Sequence, residues 1–227
     1  MPAAAPSTQP EAAKSSRVRI VLAGDSTVTG KAGWGDAFAK LFNDDVIVLN
    51  LSAGGRSSKS FINEGRWTKC LEEKPDYVFI QFGHNDQPGK GNNRETDVKT
   101  EYPKYMTQYV DDARAAGIKP ILVTSLARRQ WGKDGKIHST LIPYVEVVKQ
   151  ISADKNVPLI DLHERSIQLY EKLGKQGCID RLSPVKEDST IDNTHLTAKG
   201  AELVAPLVAD ELKKVAPELA SYLKSGN

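Results

Sequence analysis

Residues 77–86 read YVFIQFGHND. From Tyr77 to Phe82 only Gln81 is polar, and the run then stops at a glycine followed by three polar residues. A strand with one wet face alternates apolar and polar side chains. This one does not, so it reads as a strand covered on both faces. Four more runs share that character: Val18–Ala23 (VRIVLA), Val46–Leu51 (VIVLNL), Pro120–Ser125 (PILVTS) and Val157–Leu162 (VPLIDL). Segments with helical spacing lie between them. Trp34–Phe42 puts Trp34, Phe38, Leu41 and Phe42 on one face, Lys104–Ala116 does so with Tyr105, Tyr109, Val110 and Ala113, and Ile142–Ala153 with Val145, Val148 and Ile151. A long pattern over Ala198–Leu223 is expected to break near Pro206 and Pro217. Strand and helix alternating in single file predict an α/β fold of the flavodoxin-like kind, a three-layer α/β/α sandwich with a five-stranded parallel sheet in the order 2-1-3-4-5.

The bulk composition fits that picture and narrows the function. The chain has 227 residues, enough for one substantial core. Its 31 basic and 29 acidic residues leave a net charge of +2, which points neither to nucleic acid nor to an anionic membrane surface. No apolar run is long enough to span a bilayer. Residues 1–16, rich in Ala, Pro and Ser, read as a flexible lead-in without the basic head and apolar centre of a signal peptide. Residues 17–227 are expected to form one domain. Cys70 and Cys178 stand alone and read as two separate thiols rather than a disulfide or a zinc site.

In a sheet of this kind, ligands bind beyond the carboxyl ends of the strands. The residues at those ends are Gly24-Asp25-Ser26-Thr27, then Ser52-Ala53-Gly54-Gly55-Arg56-Ser57-Ser58, then Gly83-His84-Asn85-Asp86, and Leu126-Ala127-Arg128-Arg129. Asp192-Asn193-Thr194-His195 comes just before the last helix. Gathered on one rim, they supply a hydroxyl (Ser26), an imidazole able to take its proton near neutral pH (His195), and a carboxylate able to orient that imidazole (Asp192). The backbone N–H groups of Ser26 and Gly55 and the Asn85 amide are candidate donors to an oxyanion. Singly, each element has a plainer reading. Gly-Asp-Ser is a common turn, Asp-x-x-His a common loop, and Asn85 a candidate backbone cap. Their joint occurrence, in order along one rim, favours chemistry. The loop GDSTVTGK lacks the GxxxxGK[ST] spacing of a phosphate loop, so nucleotide binding is disfavoured. A glycan-binding module without catalysis would be expected to have lost Ser26, Asn85 or His195.

The stretches AGDSTV, NLSAGGRSSKSFINEGRW, VFIQFGHNDQ, TSLARRQWGKDGKI and DNTHLTAKGAELVA are similar in content and spacing to the SGNH (GDSL-like) hydrolases, and within them to the rhamnogalacturonan acetylesterase branch. The resemblance covers the chain from Val18 onward. It implies a serine esterase that needs no metal or cofactor and removes acetyl groups from galacturonic acid residues of pectic rhamnogalacturonan. Xylan is the alternative acetylated glycan. Carried over by position, Ser26 is the nucleophile, His195 the base and Asp192 its orienter. Ser26, Gly55 and Asn85 form the oxyanion hole, with Gly55 taken over its neighbour Gly54 because it directly precedes Arg-Ser. An anionic glycan would suit Arg56, Arg128 and Arg129 at the strand ends, with Trp131 as a platform for a sugar ring and His84 as a further contact. A polymeric substrate implies a secreted or periplasmic protein.

Overall fold

The computed structural model describes residues 17–225, so the N-terminal segment 1–16 lies outside the described residues. The elements in chain order are β1 (Val18–Gly24), α1 (Gly35–Ala39), β2 (Val46–Asn50), α2 (Ser58–Asn63), α3 (Arg66–Glu72), β3 (Tyr77–Gln81), α4 (Glu101–Ala115), β4 (Lys119–Val123), α5 (Ile142–Lys155), β5 (Leu159–Ile160), α6 (Leu162–Arg181), α7 (Ala198–Val215) and α8 (Pro217–Ala220). The five strands pair in parallel in the order β2-β1-β3-β4-β5, as the sequence predicts. Val21 pairs with Leu49 on one side and with Val78 on the other.

The continuous apolar runs have a direct structural cause. Along β1 and β3, alternate side chains enter two separate cores. Ile20, Leu22 and Phe79 pack with α1, α6 and α7, while Val21, Ala23, Val78 and Ile80 pack with α2 to α5. With helices on both faces, neither parity of the strand can be polar. The strand Gln81 is the exception, and it is satisfied. Its amide accepts from Trp34 Nε1 at 3.0 Å and donates to Thr27 Oγ1 at 2.6 Å, which locks the turn after β1 to the end of β3.

Three helices, α2, α3 and α6, depart from the sequence expectation. Helix α2 starts at a capping box in which the Ser57 and Ser60 side chains each accept the other's backbone N–H, in a stretch that reads as loop because of its serines. Helix α3 follows directly after Gly65. Helix α6 is interrupted at Gly174 (φ 70°, ψ 169°), which divides its apolar pattern. The fifth strand is shorter than expected, with Leu159 and Ile160 alone in the sheet. The predicted break at Pro206 does not occur: α7 runs through it. The carbonyl four residues earlier belongs to Glu202, an exposed position where water can take the place of the missing N–H. Helix α7 ends at Val215, two residues before Pro217. No described helix is long and apolar enough to cross a membrane.

Candidate active site

The first turn of the site is built from its own sequence. Asp25 Oδ1 accepts from Thr27 N at 2.8 Å and Thr27 Oγ1 at 2.7 Å, and Thr29 Oγ1 donates to Ser26 O at 2.7 Å. These bonds fold the chain tightly after β1 and leave Ser26 half-buried at the sheet's carboxyl edge. The loop before α7 approaches the same edge: Leu196 N donates to Ala32 O at 2.9 Å, and Thr197 caps α7 by accepting from Gly200 N at 3.0 Å. His195 Nε2 thereby stands 2.8 Å from Ser26 Oγ, across 169 positions of sequence.

Asp192 completes the line. Its Oδ2 lies 2.8 Å from His195 Nδ1, and its Oδ1 accepts from Thr194 N at 2.8 Å and His195 N at 2.9 Å. Burial pushes this carboxyl up, but the His195 imidazole and the two backbone N–H groups outweigh it and hold it down to about 2. An ionised Asp192 accepts a hydrogen bond from Nδ1–H, which leaves Nε2 of the neutral ring as an acceptor facing the Ser26 hydroxyl. A serine hydroxyl so placed can lose its proton as it attacks a carbonyl carbon.

Two further turns border Ser26. Gly54 is exposed, and a Cβ placed on it would stand 3.7 Å from Ser26 Cβ; Gly55 beside it takes the left-handed conformation at φ +75°. The turn after β3 depends on Gly83, at φ +142°, where any Cβ would come within 2.4 Å of Ser125 Oγ. Asn85 follows, 9% exposed, and donates from Nδ2 to Arg56 O at 3.1 Å. That bond uses one amide hydrogen and leaves the other for a ligand. Asp86 is fully buried and ties the surroundings together, accepting from Ser58 N at 3.1 Å, Ser58 Oγ at 2.5 Å and Thr96 Oγ1 at 3.1 Å. Burial pushes its carboxyl up to about 7 against these bonds.

The expected substrate contacts divide sharply. Arg129 is 1% exposed and does not face the rim surface. Its Nε donates to Ser183 Oγ at 2.9 Å, its Nη2 to Asp192 O at 2.9 Å and to His195 O, and its backbone N to Asn193 O at 2.8 Å. It grips the Asp192–His195 loop from behind. His84 is 3% exposed, with Nδ1 3.3 Å from Asp25 Oδ2, an ion-pair distance without hydrogen-bond alignment. Burial pushes the Asp25 carboxyl up, yet the charge of His84 and the Thr27 bonds hold it below its ordinary value. His84 thus lies beneath the Ser26 turn, where it cannot meet a polymer. Arg128 is engaged with Gln87 Oε1 and with His84 O at 3.2 Å. Arg56 braces its own turn through Gly54 O at 2.8 Å and pairs with Glu64 at 3.0 Å. Trp131 is half-buried, packed on the core, and lines a cavity of about 380 Å³ with Arg129, Ile191 and Asn193 behind the Asp192–His195 loop. Arg94 was not singled out from the sequence. It sits alone in a Gly- and Asn-rich loop, without a pattern to mark it, yet its Nη1 is 3.8 Å from the position a Gly55 Cβ would take.

Comparisons with known proteins agree with this architecture. The model of the GDSL-like lipase/acylhydrolase family matches residues 22–203. The rhamnogalacturonan acetylesterase RhgT of Bacillus subtilis (strain 168) is 37% identical over 225 residues, covering 92% of this chain and 95% of its own. A rhamnogalacturonan acetylesterase of Emericella nidulans is 26% identical over 208 residues, covering 82% and 81%. Among solved structures, a catalytic mutant of Axe2, an acetylxylan esterase of Geobacillus stearothermophilus, superposes with a TM-score of 0.65 at 19% identity, over 86% of this chain and 94% of that one. With the match spanning most of the sheet and reaching from before Ser26 to beyond His195, the chain belongs to the GDSL-like lipase/acylhydrolase family.

Proposed function

We propose that this carbohydrate acetylesterase removes O-acetyl groups from rhamnogalacturonan through a Ser26–His195–Asp192 mechanism with an acetyl-enzyme intermediate. The observation that carries the reading is the unbroken line of 2.8 Å contacts from Asp192 through His195 to Ser26, beside the Gly54–Gly55 turn and Asn85. The relative at 37% identity supports the substrate.

In this mechanism Ser26 Oγ attacks the acetyl carbonyl carbon while its proton passes to His195 Nε2. The carbonyl oxygen becomes an oxyanion and accepts from the N–H groups of Ser26 and Gly55 and the free amide hydrogen of Asn85. His195 then gives its proton to the sugar oxygen, the C–O ester bond breaks, and the sugar leaves with its hydroxyl restored. Water attacks the acetyl-enzyme, with His195 again taking the proton, and acetate and Ser26 are released. Asp192 stays ionised throughout and stabilises the imidazolium. Such a substrate is a polymer met outside the cytoplasm, in the periplasm or beyond.

The test is acetate release from acetylated rhamnogalacturonan and from acetylated xylan, measured with the wild type and with Ser26→Ala. The wild type is expected to have the higher kcat/KM on rhamnogalacturonan, and Ser26→Ala to lose activity on both while keeping its circular dichroism spectrum. A preference for xylan contradicts the substrate, and an active Ser26→Ala contradicts the mechanism.

A further inference from the structure

Arg94 differs from every other arginine near the site in what its guanidinium holds. Arg56, Arg128 and Arg129 spend theirs on side chains and carbonyl oxygens of the fold. Arg94 donates from Nε alone, to Lys90 O at 2.7 Å. Among the described residues its two Nη nitrogens have no hydrogen-bond acceptor and no carboxylate within 4.0 Å. The side chain is half-buried, so its charge is partly withdrawn from water without an anion to compensate it.

Its position is fixed from both ends. The loop carrying it turns back on itself through Arg94 N to Gly91 O at 2.8 Å, and it is anchored where Thr96 N meets Asp86 O at 3.0 Å and Thr96 Oγ1 meets Asp86 Oδ1 at 3.1 Å. Asp86 in turn holds Ser58, three residues beyond Gly55. The same buried carboxylate therefore sets the spacing between the Gly54–Gly55 turn and Arg94. With Nε tied back, the end-on pair Nη1 and Nη2 is left as a planar fork beside the place where the ester carbonyl would lie. That fork matches the two oxygens of a carboxylate, and a lysine would not offer it.

We propose that Arg94 is a subsite for the carboxylate of an acetylated uronate unit, and that it makes the enzyme favour acidic acetylated glycans over neutral ones. This rests on the acetylesterase reading above. The ester and the carboxylate of such a unit stand on one sugar ring, or on neighbouring rings, so one arginine next to the oxyanion turn can bind the acid group while the ester occupies the site.

The test uses acetylated galacturonate oligomers with free carboxylates and the same oligomers with the carboxylates methyl-esterified, together with 4-nitrophenyl acetate. The wild type should show a higher kcat/KM on the acidic form, with the advantage lying in KM and shrinking as salt is raised. Arg94→Met should lower the ratio of acidic to neutral kcat/KM by about 10- to 100-fold, the range for a hydrogen bond to a charged group. Arg94→Lys should restore part of the ratio. A ratio unchanged in Arg94→Met, or a wild type that prefers the neutral form, overturns the assignment of Arg94 and leaves the esterase reading standing. A wild type that releases no acetate from any of the three substrates overturns both.

Discussion

Asp192 serves two purposes with one carboxylate. Oδ1 holds the backbone of its own turn through Thr194 N and His195 N, and Oδ2 faces the imidazole. Replacing it with Asn keeps the size but presents an amide that can fix the wrong tautomer of His195, so kcat is expected to fall about 10⁴-fold with the melting temperature little changed. The same contacts make stability depend on pH. The carboxyl titrates at about 2 in the fold and at about 3.9 in an unfolded chain. Between those values the unfolded state binds more protons. The stabilisation from Asp192 is therefore complete above about pH 4 and is lost as the pH falls through about 2. Denaturant midpoints measured from pH 5 to 2 should drop more steeply in the wild type than in Asp192→Asn; parallel curves would show that the carboxylate is not held as described.

At the level of elements, the site is two loops and a turn braced from behind. Arg129 joins the loop before α7 to the end of β4 by gripping the carbonyls of Asp192, Asn193 and His195. Lysine has no fork with which to reach Ser183 and two carbonyls together, so Arg129→Lys should let the loop shift and lower kcat by about 10- to 100-fold with KM nearly unchanged. An equal loss in KM would mean that Arg129 meets the substrate after all. Asp86 braces the other side. Asp86→Ala leaves the Ser58 N–H and hydroxyl and the Thr96 hydroxyl without an acceptor in a buried place, which should cost about 3 kcal/mol and lower Tm by roughly 6–12 °C. Calorimetry checks this directly. Arg128 and Arg129 also mark the boundary of what sequence can tell. Adjacent and chemically identical, they share a strand end, but which of them turns inward is decided by Ser183 and the 192–195 loop, more than 50 positions away. Arg94 carries no sequence signal for the same reason, because its value comes from Gly55, 39 residues before it.

Across the whole molecule, the parallel sheet is what brings distant residues together. Runs without polar alternation announce strands buried on both faces, and in such a sheet everything after a strand's carboxyl end faces one rim. Topology and the meeting of Ser26 with His195 are therefore legible in the sequence. Helices α2, α3 and α6 could not, because their apolar stripes are short or split by Gly174, and their packing on β1, β3 and the other helices is what holds them. The proposed mechanism requires Ser26 to become acetylated during turnover. Acid quenching of the reaction with an acetyl ester, followed by digestion and mass spectrometry, tests this most directly. An acetyl group is expected on the peptide containing Ser26, on Ser26 itself, accumulating during the first turnover. Steady acetate release with Ser26 unmodified and the acetyl group on another side chain, or on none, would contradict it.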